Sequence, residues 1–144
     1  MIIENIKKED LPQLLELYKT LVPFEANIDK SEKIYEEIIK NEKYHLIGAK
    51  ENGEVLGSML AVVCNSITAT FLVIEDVIVK EHIRGKGIGR KLMERIDEIA
   101  VENKCEYAIL ISSSFRKGAH KFYEAMGFND SVVGFRKLYW LLYA

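Results

Sequence analysis

Leucines recur at intervals of three and four residues in an early segment that starts after Asp10. This spacing predicts a helix with one broad apolar face. Asp10 stands in the position of the N-cap, with Pro12 in the first turn and Gln13 at the capping-box position. Pro23 is expected to end this helix, because proline cannot continue the helical hydrogen-bond ladder.

The same spacing predicts three later helices, which cover residues 29 or 31 to 40, 88 to 103, and 116 to 126. The first of them is expected to turn three isoleucines inward: Ile34, Ile38 and Ile39. The last is expected to close at Gly127, because glycine readily adopts the left-handed conformation that ends many helices.

Short β-prone runs predict six strand regions, which cover residues 2–6, 44–50, 54–63, 70–79, 107–111 and 132–143. Asn52-Gly53 joins the second and third strands, because both residues tolerate the positive φ angles of a tight hairpin turn. The chain has no linker or internal repeat, so residues 1–144 are predicted to form one domain. Helices and strands mix within it, which indicates an α/β or α+β class with a mixed, mostly antiparallel sheet.

The composition fits a soluble globular domain, with 49% apolar and 29% charged residues. No apolar run is long enough to span a membrane, and the first residues do not resemble a signal peptide. The cysteines, Cys64 and Cys105, and the three histidines lack metal-ligand spacing. We therefore expect a cytoplasmic protein with reduced cysteines, no bound metal and no membrane association.

The charges are unevenly divided along the chain. Residues 1–83 hold 15 acids and 9 bases, a balance of −6, whereas residues 84–144 hold 7 acids and 11 bases, a balance of +4. The net charge of −2 argues against a general nucleic-acid binder. A polyanionic ligand is expected to favour the second part and a cation the first, unless the split reflects only solvated helix faces.

A glycine-rich loop lies between the predicted strand at residues 70–79 and the predicted helix at residues 88–103. Its sequence is Arg84-Gly85-Lys86-Gly87-Ile88-Gly89. The first turn of a helix has unpaired N–H groups and the positive end of the helix dipole, so this junction is a candidate phosphate site. Glycines there let backbone amides approach phosphate oxygens closely.

Three phosphate-binding patterns compete for this loop. A Walker loop requires Gly-Lys followed by Ser or Thr, which is absent, and a dinucleotide fingerprint requires a third glycine where Arg90 stands. The acetyl-CoA pattern, Arg/Gln-x-x-Gly-x-Gly/Ala, fits at Arg84, Gly87 and Gly89. The loop therefore favours the pyrophosphate of acetyl-CoA.

A second block begins thirty residues after Gly89, and it reads Ala119-His-Lys-Phe-Tyr123-Glu-Ala-Met-Gly127-Phe128. With both blocks in this order, the chain resembles the GNAT superfamily of N-acetyltransferases. The second block is similar to the family signature Ala-x-x-x-Tyr-x-x-x-Gly-Phe. The resemblance spans the whole chain in element order and is sharpest over residues 74–92 and 116–128. The pattern Arg-x-x-Ala-His-x-Phe-Tyr looks like branches that act on small molecules.

The resemblance implies a GNAT fold with helices on both faces of the sheet and a splayed pair of parallel strands, at residues 70–79 and 107–111. It implies direct transfer of an acetyl group from acetyl-CoA to an amine in a ternary complex. The pantetheine arm would then bond to backbone of the first strand, at Val77, Ile78 and Val79. The pyrophosphate would lie on the loop and the first turn of the helix, at Arg84, Gly85, Lys86, Gly87, Ile88, Gly89 and Arg90.

Catalytic roles also follow from the resemblance. Tyr123 corresponds to the general acid that protonates the departing sulfur. Glu75 is the first candidate for the general base and Asp76 the second, each acting directly or through a water. The backbone amide of Val77 is expected to polarise the thioester carbonyl.

The chain departs from the family at Arg116, where many relatives carry asparagine. An asparagine contact to the pantetheine is therefore not carried over. The serines before it, with Ser113 at their centre, would replace that contact, or Arg116 would reach a phosphate.

The acceptor is predicted to be a small-molecule primary amine. The alternatives are a protein N-terminal or lysine acetyltransferase and, in another class, a non-catalytic CoA-binding module. The acceptor wall is expected to include four acidic residues: Glu25, Asp29, Glu75 and Asp76. The apolar tail over residues 138–143 would serve either a homodimer contact or the core.

Overall fold

The computed structural model describes residues 1–21, 27–112 and 117–139. Its strands are β1 (Ile2–Asn5), β2 (Tyr44–Glu51), β3 (Glu54–Asn65), β4 (Thr70–Val79) and β5 (Tyr107–Leu110). Its α-helices are α1 (Leu11–Tyr18), α2 (Ile28–Lys40), α3 (Ile88–Glu102) and α4 (Lys117–Ala125). Two short 3-10 helices lie at Lys8–Asp10 and Glu81–Ile83.

The five strands form one sheet in the order β1-β2-β3-β4-β5. The first four strands are antiparallel to their neighbours, and β5 pairs parallel to β4. The parallel ladder runs only from Phe71 opposite Tyr107 to Ile74 opposite Leu110, where β5 ends. Because β4 continues to Val79, its second half has no β5 residue beside it, which confirms the predicted splay.

Each face of the sheet carries its own apolar core. On one face, the buried stripe of α3, including Leu92, Met93 and Ile96, packs against β2, β3 and β4. Aromatic residues in and after α4 join this core. On the other face, α1 and the buried Tyr35 of α2 pack against residues such as Val55 and Ile78. The predicted mixed sheet with helices on both faces is thus confirmed.

The start of α1 differs from the prediction. The carboxylate of Asp10 accepts no hydrogen bond from the first turn of α1. It accepts one from the Lys7 amide at 2.8 Å and forms an ion pair with the largely buried Lys50. Gln13 donates to Gly53 O at 2.9 Å and accepts from the Val55 amide at 2.9 Å. Both side chains therefore tie α1 to the β2–β3 hairpin instead of capping the helix.

Two other predictions are wrong. In α2, Ile34 and Ile39 are exposed, Ile38 is partly buried and Tyr35 is the buried residue, because α2 meets the sheet through a narrower face than the isoleucine spacing indicated. Residues 132–139 form no strand, because they pair with no neighbour among the described parts of the chain. Pro23, the predicted end of the first helix, and residues 140–143 of the predicted last strand lie outside the described residues.

Candidate functional site

A β-bulge interrupts β4 where the parallel ladder has already ended. Ser58 pairs with Ile78 and Leu60 pairs with Glu75, so Asp76 and Val77 together stand opposite Met59. Asp76 has a φ of 52°, in the left-handed region that aspartate tolerates better than most residues. The extra residue leaves Asp76 and Val77 without a register partner on β3, and the ladder to β5 stops before them.

The bulge also shifts the alternation of β4, so that residues after it point to the opposite face of the sheet from the one that regular alternation would give them. Ile74 belongs to the core under α3, whereas Ile78, four residues later, belongs to the core under α1 and α2. Val77 and Val79 pack on the α3 face. Simple alternation would have put Ile74 and Ile78 on one face, so the extra residue accounts for the change.

A cleft of about 850 Å³ opens beside this second half of β4. Four segments line it, namely the end of β4, the glycine loop with the start of α3, the first two turns of α4, and Thr20 just after α1. The lining residues are Thr20, Val77, Ile78, Val79, Arg84, Gly85, Gly87, Ile88, Gly89, Arg90, Lys117, Gly118, Ala119, Phe122 and Tyr123.

The glycine loop gives this cleft a wall of backbone. Gly87 is the N-cap of α3 with a φ of 81° and a ψ of 9°, and Gly85 has a φ of 85°. A Cβ on either glycine would meet no atom within 4 Å, so both need glycine for their conformation. The Arg84 Nε donates to Val79 O at 3.3 Å, which ties the loop back to the end of β4.

Gly89 serves a different purpose from the other two glycines. A Cβ there would lie 3.1 Å from Cζ of Phe122, closer than ordinary packing allows. The absent side chain therefore lets α4 pack against the first turn of α3. This contact brings the side of α4 that carries Tyr123 to the cleft.

Most predicted cofactor residues meet in this cleft. Lys86 does not line it, and neither does the predicted base Glu75. Ser113, Arg116 and the predicted acceptor residue Glu25 lie outside the described residues. Asp29 stands exposed in the first turn of α2 and does not line the cleft.

The sequence predictions did not assign Thr20, Lys117 or Gly118 to the cleft. Thr20 is almost sixty residues from the rest of the lining, so no local pattern indicates it. Lys117 begins α4, just before the second signature block. Its positive charge at that position was the sequence feature that could have indicated a contact with the cofactor. Lys117 brings a third positive side chain to a cleft already lined by Arg84 and Arg90.

Tyr123 lies among aromatic rings on the α3 side of the sheet. Its ring packs edge-on against Phe128 with centroids 6.2 Å apart, and tilted against Phe122 at 5.6 Å. The Phe128 amide donates to the Tyr123 carbonyl at 3.0 Å, which closes α4 at Gly127, where φ is 98°. The signature Tyr-x-x-x-Gly-Phe thus fixes the tyrosine ring by packing and by this turn.

The carboxylates of Glu75, just before the bulge, and Asp76, within it, are adjacent in the chain and partly desolvated. Burial raises the pKa of Glu75, and the negative charge of Asp76 raises it further. Burial alone raises the pKa of Asp76. Raised pKa values make these groups better proton acceptors near neutral pH than ordinary carboxylates.

The cleft fits a diphosphate-containing cofactor. The start of α3 with its unpaired N–H groups, two glycines without neighbouring atoms, and three cationic residues all line it. Across the described ranges, no group of three acidic, histidine or cysteine side chains is arranged to hold a metal ion. Within the same ranges, no helix is long and apolar enough to cross a membrane.

Comparison with known proteins gives a consistent picture. The sequence model of the acetyltransferase (GNAT) family matches residues 11–128. Thialysine N-epsilon-acetyltransferase from Sus scrofa is 26% identical, over 90% of this chain and 85% of the relative.

Solved structures agree in fold. A transcriptional regulator from Bacillus halodurans C-125 superposes with a TM-score of 0.87 at 25% identity, covering 96% of this chain and 99% of that one. Glucosamine-6-phosphate N-acetyltransferase from Arabidopsis thaliana superposes with a TM-score of 0.86 at 21% identity, covering 96% of this chain and 97% of that one. Because these neighbours carry different names, the shared fold does not by itself assign an acceptor.

Proposed function

Because the chain belongs to the acetyltransferase (GNAT) family, we propose that it transfers the acetyl group of acetyl-CoA to a primary amine of a small molecule. The observation that carries this proposal is the cleft beside the second half of β4. It joins backbone freed by the bulge, a glycine loop at a helix start, and Tyr123. The cleft is therefore suited to a cofactor with phosphates at one end and a reactive thioester at the other.

The proposed reaction is direct attack in a ternary complex. The amine nitrogen forms a bond to the thioester carbonyl carbon, and the carbon–sulfur bond breaks. The amide of Val77, which has no register partner on β3 or β5, donates to the carbonyl oxygen as negative charge develops there. Tyr123 donates its hydroxyl proton to the leaving thiolate.

The proton of the amine needs an acceptor in this scheme. Glu75 is proposed for that role through a relaying water, because it does not line the cleft but has a raised pKa. Asp76 is one residue closer to Val77 and is the second candidate. The distinction matters for the pH dependence of the rate, since the group that accepts the proton must be ionised.

Two observations support a small cationic acceptor. The similar pig enzyme is named for acetylation of thialysine, a small amine. The first 83 residues carry a balance of −6, whereas the part of the chain that contains the glycine loop carries +4, so a cation is expected to favour the first part. The predicted cytoplasmic location and the predicted homodimer stay predictions.

The test is thiol release from acetyl-CoA, measured across polyamines, amino sugars, amino acids and peptides. We expect turnover with small amines and an acceptor KM that rises with added salt, because salt screens the attraction of exposed charges over about 8–10 Å. Turnover with peptides alone would instead indicate a protein acetyltransferase. Saturable CoA binding with no turnover on any amine would indicate a non-catalytic CoA-binding module.

A further inference from the structure

A second cavity lies on the opposite side of the bulge from the cofactor cleft. It has a volume of about 260 Å³, is open to solvent, and is lined by residues of α1, α2 and the sheet. Its walls are mostly aliphatic and aromatic, with Leu14 from α1, Ile38 from α2, and Leu46 and Leu60 from the sheet. A cavity with such walls favours an apolar ligand, since it offers few polar partners.

One charged group faces this apolar space. Among the described residues that line the cavity, Asp76 alone is charged. Asp76 as a whole residue is exposed, so its carboxylate stands at the rim of the cavity. Tyr18 also lines the cavity. Burial raises the pKa of its hydroxyl, and the negative charge of Asp76 raises it further.

The Asp76 carboxylate lacks an ion-pair partner in the described part of the chain. Within residues 1–21, 27–112 and 117–139, no lysine, arginine or histidine forms an ion pair with it. By contrast, the buried carboxylate on this face, Asp10, pairs with Lys50. A partly desolvated carboxylate without a cationic partner gains from binding a cation.

The two cavities meet at the bulge and at the end of α1. Asp76 lines the apolar cavity and Val77 lines the cofactor cleft, although they are adjacent residues. At and just after the end of α1, Tyr18 and Leu21 line the apolar cavity, whereas Thr20 lines the cofactor cleft. A group bound at Asp76 therefore stands next to the position where the acetyl group would be delivered.

We propose that the cavity between α1 and α2 binds the apolar body of the acceptor while Asp76 binds its ammonium group, an inference that rests on the proposed acetyl transfer. The acceptor is then a primary amine carried on an aliphatic or aromatic carbon skeleton. A polyamine or an amino sugar fits less well, because its remaining charges or hydroxyls would be buried against aliphatic walls.

The experiment measures kcat/KM for a series of linear primary amines from propylamine to octylamine, with phenethylamine and the diamine putrescine. We expect kcat/KM to rise about fourfold for each added methylene until the cavity is full. Putrescine is expected to react more slowly than pentylamine, which has similar length but only one charge. Calorimetric titration of the same amines gives a readout that does not depend on turnover.

Two variants test the walls and the charge. Ile38→Ala enlarges the cavity and should move the best amine to a longer chain, whereas the matched control Ile39→Ala, at an exposed neighbouring position, should leave the best length unchanged. Asp76→Asn keeps a residue that tolerates positive φ. It should raise the KM of every amine at least tenfold while acetyl-CoA affinity stays the same.

The outcomes separate this inference from the proposed function. A kcat/KM that does not depend on chain length would overturn the inference and leave acetyl transfer intact. The same conclusion would follow if Ile38→Ala and the native protein showed the same dependence of kcat/KM on chain length. Length-dependent calorimetric binding without thiol release would support the cavity and refute acetyl transfer. Neither binding nor turnover with any amine in the series would overturn the inference, and acetyl transfer would then be decided by the broader panel of polyamines, amino sugars, amino acids and peptides.

Discussion

Gly87→Val separates two roles of the glycine loop, its backbone conformation and its contact with the cofactor. Gly87 has a φ of 81°, and a Cβ there would touch no atom within 4 Å. The substitution therefore causes no collision inside the protein. Its structural cost is the left-handed conformation itself, about 1–2 kcal/mol for a residue with a side chain.

The cost to binding should come on top of that strain. The isopropyl group would project into the open space of the cleft, in front of the unpaired amides at the start of α3. Amides held away from the pyrophosphate lose their charge-assisted hydrogen bonds. We expect acetyl-CoA affinity to fall at least tenfold, or about 1.4 kcal/mol or more.

A matched control stands in the β2–β3 turn. Gly53 has a φ of 79°, and a Cβ there would likewise touch no atom within 4 Å, but this glycine does not line the cleft. Gly53→Val should lose a similar stability, about 1–2 kcal/mol, which corresponds to a drop in Tm of roughly 3–10 °C in a domain of this size. Its acetyl-CoA affinity should be unchanged.

The assay pairs thermal unfolding with calorimetric titration of acetyl-CoA on both variants. Equal losses of stability with unequal losses of affinity would support the loop as the pyrophosphate site. If folded Gly87→Val binds acetyl-CoA as tightly as Gly53→Val does, the loop does not hold the pyrophosphate and the reasoning fails.

Three other side chains, those of Tyr123, Glu75 and the partly buried His45, have roles that substitution can test. Tyr123→Phe should lower turnover by roughly two to four orders of magnitude with little change in acetyl-CoA affinity, and a near-native single-turnover rate would show that another donor protonates the thiolate. Glu75→Gln should flatten the acidic limb of kcat/KM, since the native rate falls as pH drops through the raised pKa of Glu75; an unaltered profile would point to Asp76. Burial lowers the pKa of His45 from its usual 6.5, and its Nε2 has no hydrogen-bond partner within the described ranges. Folding stability should therefore fall as pH drops below about 6.5, where the unfolded state takes up the proton more readily. His45→Phe should remove that dependence and the exposed control His82→Gln should keep it, as measured by chemical unfolding at several pH values.

Features set by local chemistry were predictable from the sequence. Asn52 and Gly53 both have positive φ, as the hairpin turn requires, and β4 begins and ends at the predicted residues. The glycine loop and the block around Tyr123 could also be recognised as motifs, because each consists of residues close together in the chain.

Features set by distant partners were not predictable. Asp10 pairs with Lys50, forty residues away, so its local N-cap signal was overridden. The bulge at Asp76 depends on the register with β3, which no pattern within β4 reveals. The β-prone residues Val132 and Phe135 are exposed and have no strand partner in the described ranges, because a strand requires a neighbour as well as a propensity.

The bulge has a consequence for how this site tolerates change during evolution. Its geometry depends on the number of residues between Glu75 and Ile78 more than on the identity of any one side chain. A single deletion there would restore regular pairing with β3 and remove the backbone that the bulge leaves without a register partner, with every residue of the glycine loop still present. Relatives should therefore vary freely in sequence along β4 but preserve its length, and an insertion or deletion in this strand should mark a protein that has lost the reaction.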